Sequence, residues 1–209
     1  AFRKVIDTLP TLNKYKIRYA IKYTLSKETA KDAVELLNLV AKNGATEFNV
    51  RRVIVAGNAK EDMVLSNEEY TNIIRNLIQN CRKLGVKFRT GDPLLIPIFS
   101  EVWGIDIEKD DLSKIYAGCQ AGDEIIYIDY KGNVGACSYI PKFADNIKDK
   151  PLDEILSKNK LFIDLRAYKN KLEGKCKECK YKMICGGCRA SALALKKSLF
   201  EEDPLCLAN

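Results

Sequence analysis

Seven of the eight cysteines in this 209-residue chain fall in its second half, as Cys119, Cys137, Cys176, Cys179, Cys185, Cys188 and Cys206. Cysteine sulfur, as thiolate, ligates zinc, copper(I) and iron–sulfur clusters. Two closely spaced thiolates in one loop can turn towards the same ion or cluster. Cys176-Lys-Glu-Cys179 and Cys185-Gly-Gly-Cys188 are two such pairs, with five residues between them. The glycines of the second pair let the backbone wrap closely around whatever the sulfurs hold. Lys175, Lys177, Lys180 and Lys182 crowd the first pair, and nearby positive charge favours the thiolate that must ligate. Histidine is absent from the chain, which excludes mixed Cys/His zinc sites and any histidine-based nucleophile triad.

The same four close-spaced cysteines could form a zinc ribbon. A ribbon needs a longer excursion between its knuckles than five residues, and a lone zinc leaves Cys119, Cys137 and Cys206 without a role. A disulfide framework is disfavoured because seven is odd. Iron–sulfur ligation accounts for the pattern best. Cys81 stands apart: it shares a helical face with Ile74, Leu77 and Leu84 and reads as a small core residue.

These ligands need elements to hold them. In the first half, Lys16–Leu25 alternates polar and apolar residues as a strand does. Ser26 follows as a plausible N-cap, and Ala30, Ala33, Val34, Leu37, Val40 and Ala41 form a helical stripe that Gly44 ends. Phe48–Ala56 reads as a second strand. Ser66 and Glu69 make a capping-box signature for a helix to about Leu84, closed by Gly85, and Val86–Thr90 is a third strand. Strands separated by helices of this length are successive βα units of a parallel sheet or barrel. Three units cannot close a barrel, and residues 1–6 read as the last turns of an amphipathic helix, so the expectation is a missing N-terminal half.

Residues 94–114 carry no strong pattern, and the character changes near 115. Glu124–Tyr130 and Val134–Tyr139 look like a β-hairpin whose turn uses Gly132 at positive φ. Pro151–Ser157 and Leu161–Leu172 read as short helices. The cysteine-dense loop comes next, then a helix over Arg189–Leu199. The expected organisation is an α/β part over residues 1–114 and a small α+β cluster-binding part over 115–209.

Composition bounds the remaining classes. The net charge of +7 comes from 35 basic and 28 acidic residues. Lysines alternate with acids along helix faces and no basic stripe carries aromatics, so nucleic-acid binding is disfavoured. No apolar run is long enough to span a bilayer, and no secretory signal is visible. Together with the lysine content this points to a cytoplasmic chain, where thiols serve metals or redox chemistry.

From Cys119 onward the sequence resembles the SPASM (twitch-type) auxiliary-cluster domain at the C-terminus of many radical S-adenosylmethionine (SAM) enzymes. The resemblance rests on Cys119, Gly132 and Cys137, with twelve residues before the glycine and four after it. It continues through Cys176, Cys179, Cys185 and Cys188 to Cys206 in Asp203-Pro204-Leu205-Cys206. The run Cys185-Gly-Gly-Cys188-Arg-Ala-Ser-Ala is similar to radical SAM proteins that modify hemes and related tetrapyrroles; peptide-modifying and cofactor-building relatives carry similar runs.

The resemblance implies that the first half is the last three units of a partial (β/α)6 barrel. It implies two auxiliary [4Fe–4S] clusters, one held by Cys119, Cys137 and Cys188 and the other by Cys176, Cys179, Cys185 and Cys206. The first set is one ligand short, leaving an open iron or an oxygen ligand from Asp123 or Glu124. SAM and a third [4Fe–4S] cluster belong to the intact protein, since the Cys-x3-Cys-x2-Cys motif that holds the SAM-cleaving cluster is absent from this chain. The implied reaction is radical modification of a tetrapyrrole, peptide or small cofactor precursor, with ferredoxin or flavodoxin as electron donor. Sulfatase-maturing relatives place a proton-accepting Asp where this chain has Ser138, which leaves the catalytic base unassigned. Arg51 and Arg52 on the second strand, and Asp92 at the end of the third, occupy positions where barrel-type sheets place functional groups. A two-cluster electron-transfer protein and a zinc interaction module are the competing readings.

Overall fold

The computed structural model describes residues 2–104 and 118–208. They separate into two compact units, Ala1–Val53 with Glu61–Asp92, and Ile54–Lys60 with Pro93–Asn209. The boundary expected near residue 115 lies outside the described residues.

The first unit is α/β, as its sequence pattern indicates. Helix α1 runs Phe2–Lys14 with Pro10 inside it. The amphipathic stretch at 1–6 thus does not end the helix, which continues to Lys14. The helix closes by donating Lys16 N–H to Asn13 C=O (3.0 Å) and Ile17 N–H to Leu12 C=O (2.9 Å), with Lys16 at φ 56°. This paired closure is a Schellman motif. It takes up residues that alternate like a strand, so β1 begins only at Ala20 and runs to Leu25. Strand β2 spans Glu47–Arg52 and β3 Lys87–Arg89. All pair in parallel in the order β1-β2-β3, with Ile21 opposite Phe48 and Phe48 opposite Phe88. Strand β2 buries Phe48, Val50 and Arg52 on alternate positions. Beyond Arg52 the chain passes to the second unit, which shortens the strand from its expected end at Ala56.

Helix α2 covers Ala33–Lys42 and buries Ala33, Leu37 and Val40. A 3-10 turn at Ala30–Asp32 precedes it, so Ser26 does not cap the helix. Ser26 instead exchanges bonds with Thr29, its N–H donating to Thr29 Oγ1 at 2.9 Å. Helix α3, Asn67–Leu84, follows its sequence signature closely. Glu69 N–H donates to Ser66 Oγ (3.2 Å), Ser66 N–H donates to Glu69 Oε2 (2.9 Å), and Gly85 ends the helix at φ 69°. Its buried face carries Tyr70, Ile74, Leu77, Ile78 and Cys81. Ser66→Ala is expected to destabilise the fold by about 1 kcal/mol, the usual worth of such a cap, and thermal unfolding measures it.

In the second unit a 3-10 turn at Pro93–Leu95 leads into α4, Ile96–Trp103. The sequence shows no periodicity here because Leu94, Leu95, Ile96, Ile98 and Phe99, in a run of apolar residues, are all buried, which leaves few polar positions to set a period. Strands β4 (Tyr127–Ile128), β5 (Asn133–Gly135) and β6 (Phe143–Asn146) form an antiparallel meander in chain order. The expected hairpin is present with shorter strands. Strand β5 stops because the chain turns at Cys137, whose carbonyl accepts Ile140 N–H at 3.0 Å. The third strand was not expected; it is short and its register shifts between Val134 and Gly135. Gly132 sits at φ 91°, where an added Cβ would meet Asn146 Oδ1 at 2.8 Å.

Helices α5 (Leu152–Lys158), α6 (Lys160–Arg166) and α7 (Arg189–Lys196) complete the unit. Helix α6 ends earlier than expected and gives way to a 3-10 turn at Tyr168–Asn170. Val134, Ala136, Ile140, Ile155, Phe162, Leu165, Ala190 and Leu199 form one core. Burying Phe162 and Leu165 contributes roughly 1.5–3 kcal/mol each. No helix among the described residues is long and apolar enough to cross a membrane.

Candidate metal centre

Four of the seven cysteines converge. Cys176 ends a 3-10 turn at Gly174–Cys176, and Cys185 N–H donates to Tyr181 C=O at 2.8 Å. Cys206 N–H donates to Asp203 C=O at 3.1 Å. With Cys179, these residues line a single pocket whose wall includes Gly186 and Gly187. Leu94, Ile96, Tyr181, Leu205 and Leu207 pack around Cys179 and Cys185 from α4 and the C-terminal segment. The other three expected ligands, Cys119, Cys137 and Cys188, are half-buried, and each packs against the hairpin–helix core. Cys81 is buried at 1% exposure in the first unit, and burial pushes its thiol up to about 11.

Among the described residues, no three His, Cys, Asp or Glu side chains converge tightly enough to hold a single metal ion. The four sulfurs stand round an opening instead. An all-thiolate set around an opening suits a polynuclear iron–sulfur core.

Burial opposes charge on these sulfurs. It pushes the Cys185 thiol up to about 12, and raises Cys176 and Cys206 above the ordinary thiol range. The sulfurs also raise one another, since Cys206 and Cys176 both act on Cys185. A bound cation must therefore compensate the charge and displace the protons. The lysines do not overcome this. Lys175, Lys177 and Lys180 are exposed, and at Cys176 the charge that offsets burial is that of Arg189, after the backbone N–H of Asp203.

Three residues that the ligand pattern did not single out hold the two groups in place. Tyr168 is 4% exposed; its hydroxyl accepts Cys119 N–H at 3.2 Å and faces Cys185 C=O at 3.5 Å. One phenol thus touches a member of each cysteine group, and burial holds it protonated well above its ordinary range. Asp203 is 1% exposed; its carboxylate accepts Cys188 N–H at 2.9 Å and Leu205 N–H at 3.0 Å. Arg189 is wholly buried directly after Cys188. Only the pairing of Asp203-Pro204 with the last cysteine, and of Arg189 with the fourth of the close set, hints at them in sequence.

The other expected positions fall elsewhere. Asp123 and Glu124 are exposed, and Glu124 accepts from Gln120 Nε2 at 2.7 Å. Ser138 is exposed. In the first unit Arg52 Nε lies 3.1 Å from Asp92 Oδ2, a buried ion pair that Tyr70 joins by donating its hydroxyl to the same oxygen at 2.9 Å. The Arg51 guanidinium lies over Gly91 and leaves no room for a Cβ there.

Residues 119–180 match the family model of SPASM, an iron–sulfur cluster-binding domain. The chain is 27% identical over 213 residues to the AdoMet-dependent heme synthase of Methanosarcina barkeri, covering 99% of this chain and 61% of that protein. It is 24% identical over 214 residues to the protein of the same name from Nitratidesulfovibrio vulgaris, covering 99% and 58%. The chain thus spans about three-fifths of the length of these relatives. In fold it is similar to Streptococcus suis SuiB bound to the precursor peptide SuiA, with a TM-score of 0.72 at 19% identity, covering 97% of this chain and 48% of that one.

Proposed function

We propose that this chain, whose residues 119–180 carry a SPASM iron–sulfur cluster-binding domain, is the C-terminal portion of a radical SAM enzyme that modifies a tetrapyrrole. The observation that carries the reading is the convergence of Cys176 and Cys179, inside that match, with Cys185 and Cys206, C-terminal to it, on one pocket. These four residues hold one auxiliary [4Fe–4S] cluster. Cys119, Cys137 and Cys188 hold a second, whose remaining iron is open or takes an oxygen ligand. When bound, the clusters supply one-electron redox chemistry beside the substrate.

The chain's own contribution is positional. Asp203 fixes the backbone at Cys188 and at the turn to Cys206, while Tyr168 ties Cys119 to the Cys185 loop. Two relatives bear the name heme synthase, which supports a tetrapyrrole as substrate. SuiB was captured with a precursor peptide, which favours a peptide as the second reading. A basic net charge of +7 suits an acidic electron donor of the ferredoxin or flavodoxin kind.

The test is anaerobic reconstitution of the full-length protein, with iron and acid-labile sulfide measured first. Reduced protein is then incubated with SAM and with heme precursors or candidate peptides, and product masses are read. Iron and sulfide with a SAM-dependent mass change in a tetrapyrrole is the expected result. Zinc without sulfide would sink both cluster readings. Clusters without a Cys-x3-Cys-x2-Cys triplet upstream of Ala1 would leave the electron-transfer protein.

A further inference from the structure

We propose that Arg189 is the buried counter-charge and N–H donor of the cluster held by Cys176, Cys179, Cys185 and Cys206, and that it raises that cluster's potential. The inference rests on the reading above and deepens it. Arg189 opens α7 and is 0% exposed. Its Nη1 donates to the carbonyls of Leu199 and Glu201, both at 2.8 Å. Its Nε and Nη2 have no hydrogen-bond partner among the described residues. A guanidinium carries five N–H groups, and leaving several of them dry is costly enough that native proteins seldom do it.

The unpartnered edge faces the cysteine loop. A Cβ on Gly187 would stand 2.6 Å from Arg189 Nη2, so the guanidinium lies directly against the Cys185-Gly-Gly-Cys188 backbone. The Tyr168 ring covers the guanidinium at 5.7 Å to its centroid. Asp203 is close by, its β-carbon 2.8 Å from the same notional Gly187 Cβ, but its carboxylate receives the N–H groups of Cys188 and Leu205. The acceptors that complete the arginine are therefore the sulfurs of the cluster. Positive charge and N–H···S bonds both stabilise the form with one more electron, which moves the potential upward.

Holding the carbonyls of Leu199 and Glu201 needs only Nη1, so a purely structural role leaves the potential unmoved. The experiment is an EPR-monitored redox titration of the reconstituted full-length protein and its Arg189→Gln and Arg189→Lys variants. One auxiliary midpoint potential is expected to move negative in Arg189→Gln and to lie between the two in Arg189→Lys, which keeps the charge. Unmoved potentials with iron retained overturn the proposal while leaving the cluster reading intact. Where a variant loses its iron or fails to fold, the unaltered protein decides. Grown with 15N-arginine, its reduced cluster should show a hyperfine coupling that changes with the label; no such change overturns the proposal. A protein that binds no iron and sulfide at all overturns the cluster reading, and this one with it.

Discussion

Cys185→Ala in the full-length protein is expected to remove about four iron atoms and their sulfide per chain, the content of one [4Fe–4S] cluster. Cys185 is buried, at 8% exposure, with Gly187 N–H donating to its sulfur at 3.4 Å. No neighbouring cysteine can substitute, because Cys188 faces the other group and Cys176, Cys179 and Cys206 already surround the pocket. The control is Cys81→Ala. That residue is packed in the core of α3, so its loss should cost roughly 1 kcal/mol of packing and no iron. Iron and acid-labile sulfide determination on anaerobic protein reads both. Full iron content in Cys185→Ala would remove this residue from the ligand set.

The second large effect is expected from Gly186→Ala. Gly186 sits at φ 60°, and an added Cβ would lie 2.7 Å from Tyr168 Cε2 and 2.8 Å from its hydroxyl oxygen. The left-handed backbone alone costs a non-glycine residue about 1–2 kcal/mol. The ring cannot swing away, being 4% exposed and tied through its hydroxyl to Cys119 and the Cys185 loop. Strain and overpacking together should destabilise the fold by about 3 kcal/mol and lower cluster content at both cysteine groups, since one tyrosine touches both. Thermal unfolding and iron analysis give the two readouts. Tyr168→Leu in the same chain should recover the overpacking part and not the backbone part; additive losses in the double variant would refute the ring contact.

Local chemistry made much of this molecule legible. The capping box at Ser66 and Glu69 and the stop at Gly85 are decided within a few residues, so α3 lies where the sequence puts it. The glycine turn at Gly132 is equally local, and the hairpin follows from it. Where neighbours decide, the pattern misleads. Residues 16–19 alternate like a strand but close α1, because a helix end must place its orphan carbonyls. Helix α4 left no periodic trace because its first turn is an unbroken run of apolar residues, most of them buried.

The cysteines divide in the same way. Their spacing alone implies thiolate chemistry, two pairs in one loop and seven ligands in all, since residue type and separation are properties of the chain. Which sulfur joins which group is a long-range matter. Cys206 reaches the pocket of Cys176, Cys179 and Cys185 only through the turn at Asp203, and Cys188 turns away as α7 begins. The roles of the groups around them were not readable. Arg189, Tyr168 and Asp203 are ordinary surface residue types in sequence, and only folding takes them out of water and sets their hydrogen bonds and charge against the sulfurs. The donor atoms are thus fixed by the chain, and the electrostatics that govern them by its tertiary packing, because the cost of a buried charge exists only once solvent has been excluded.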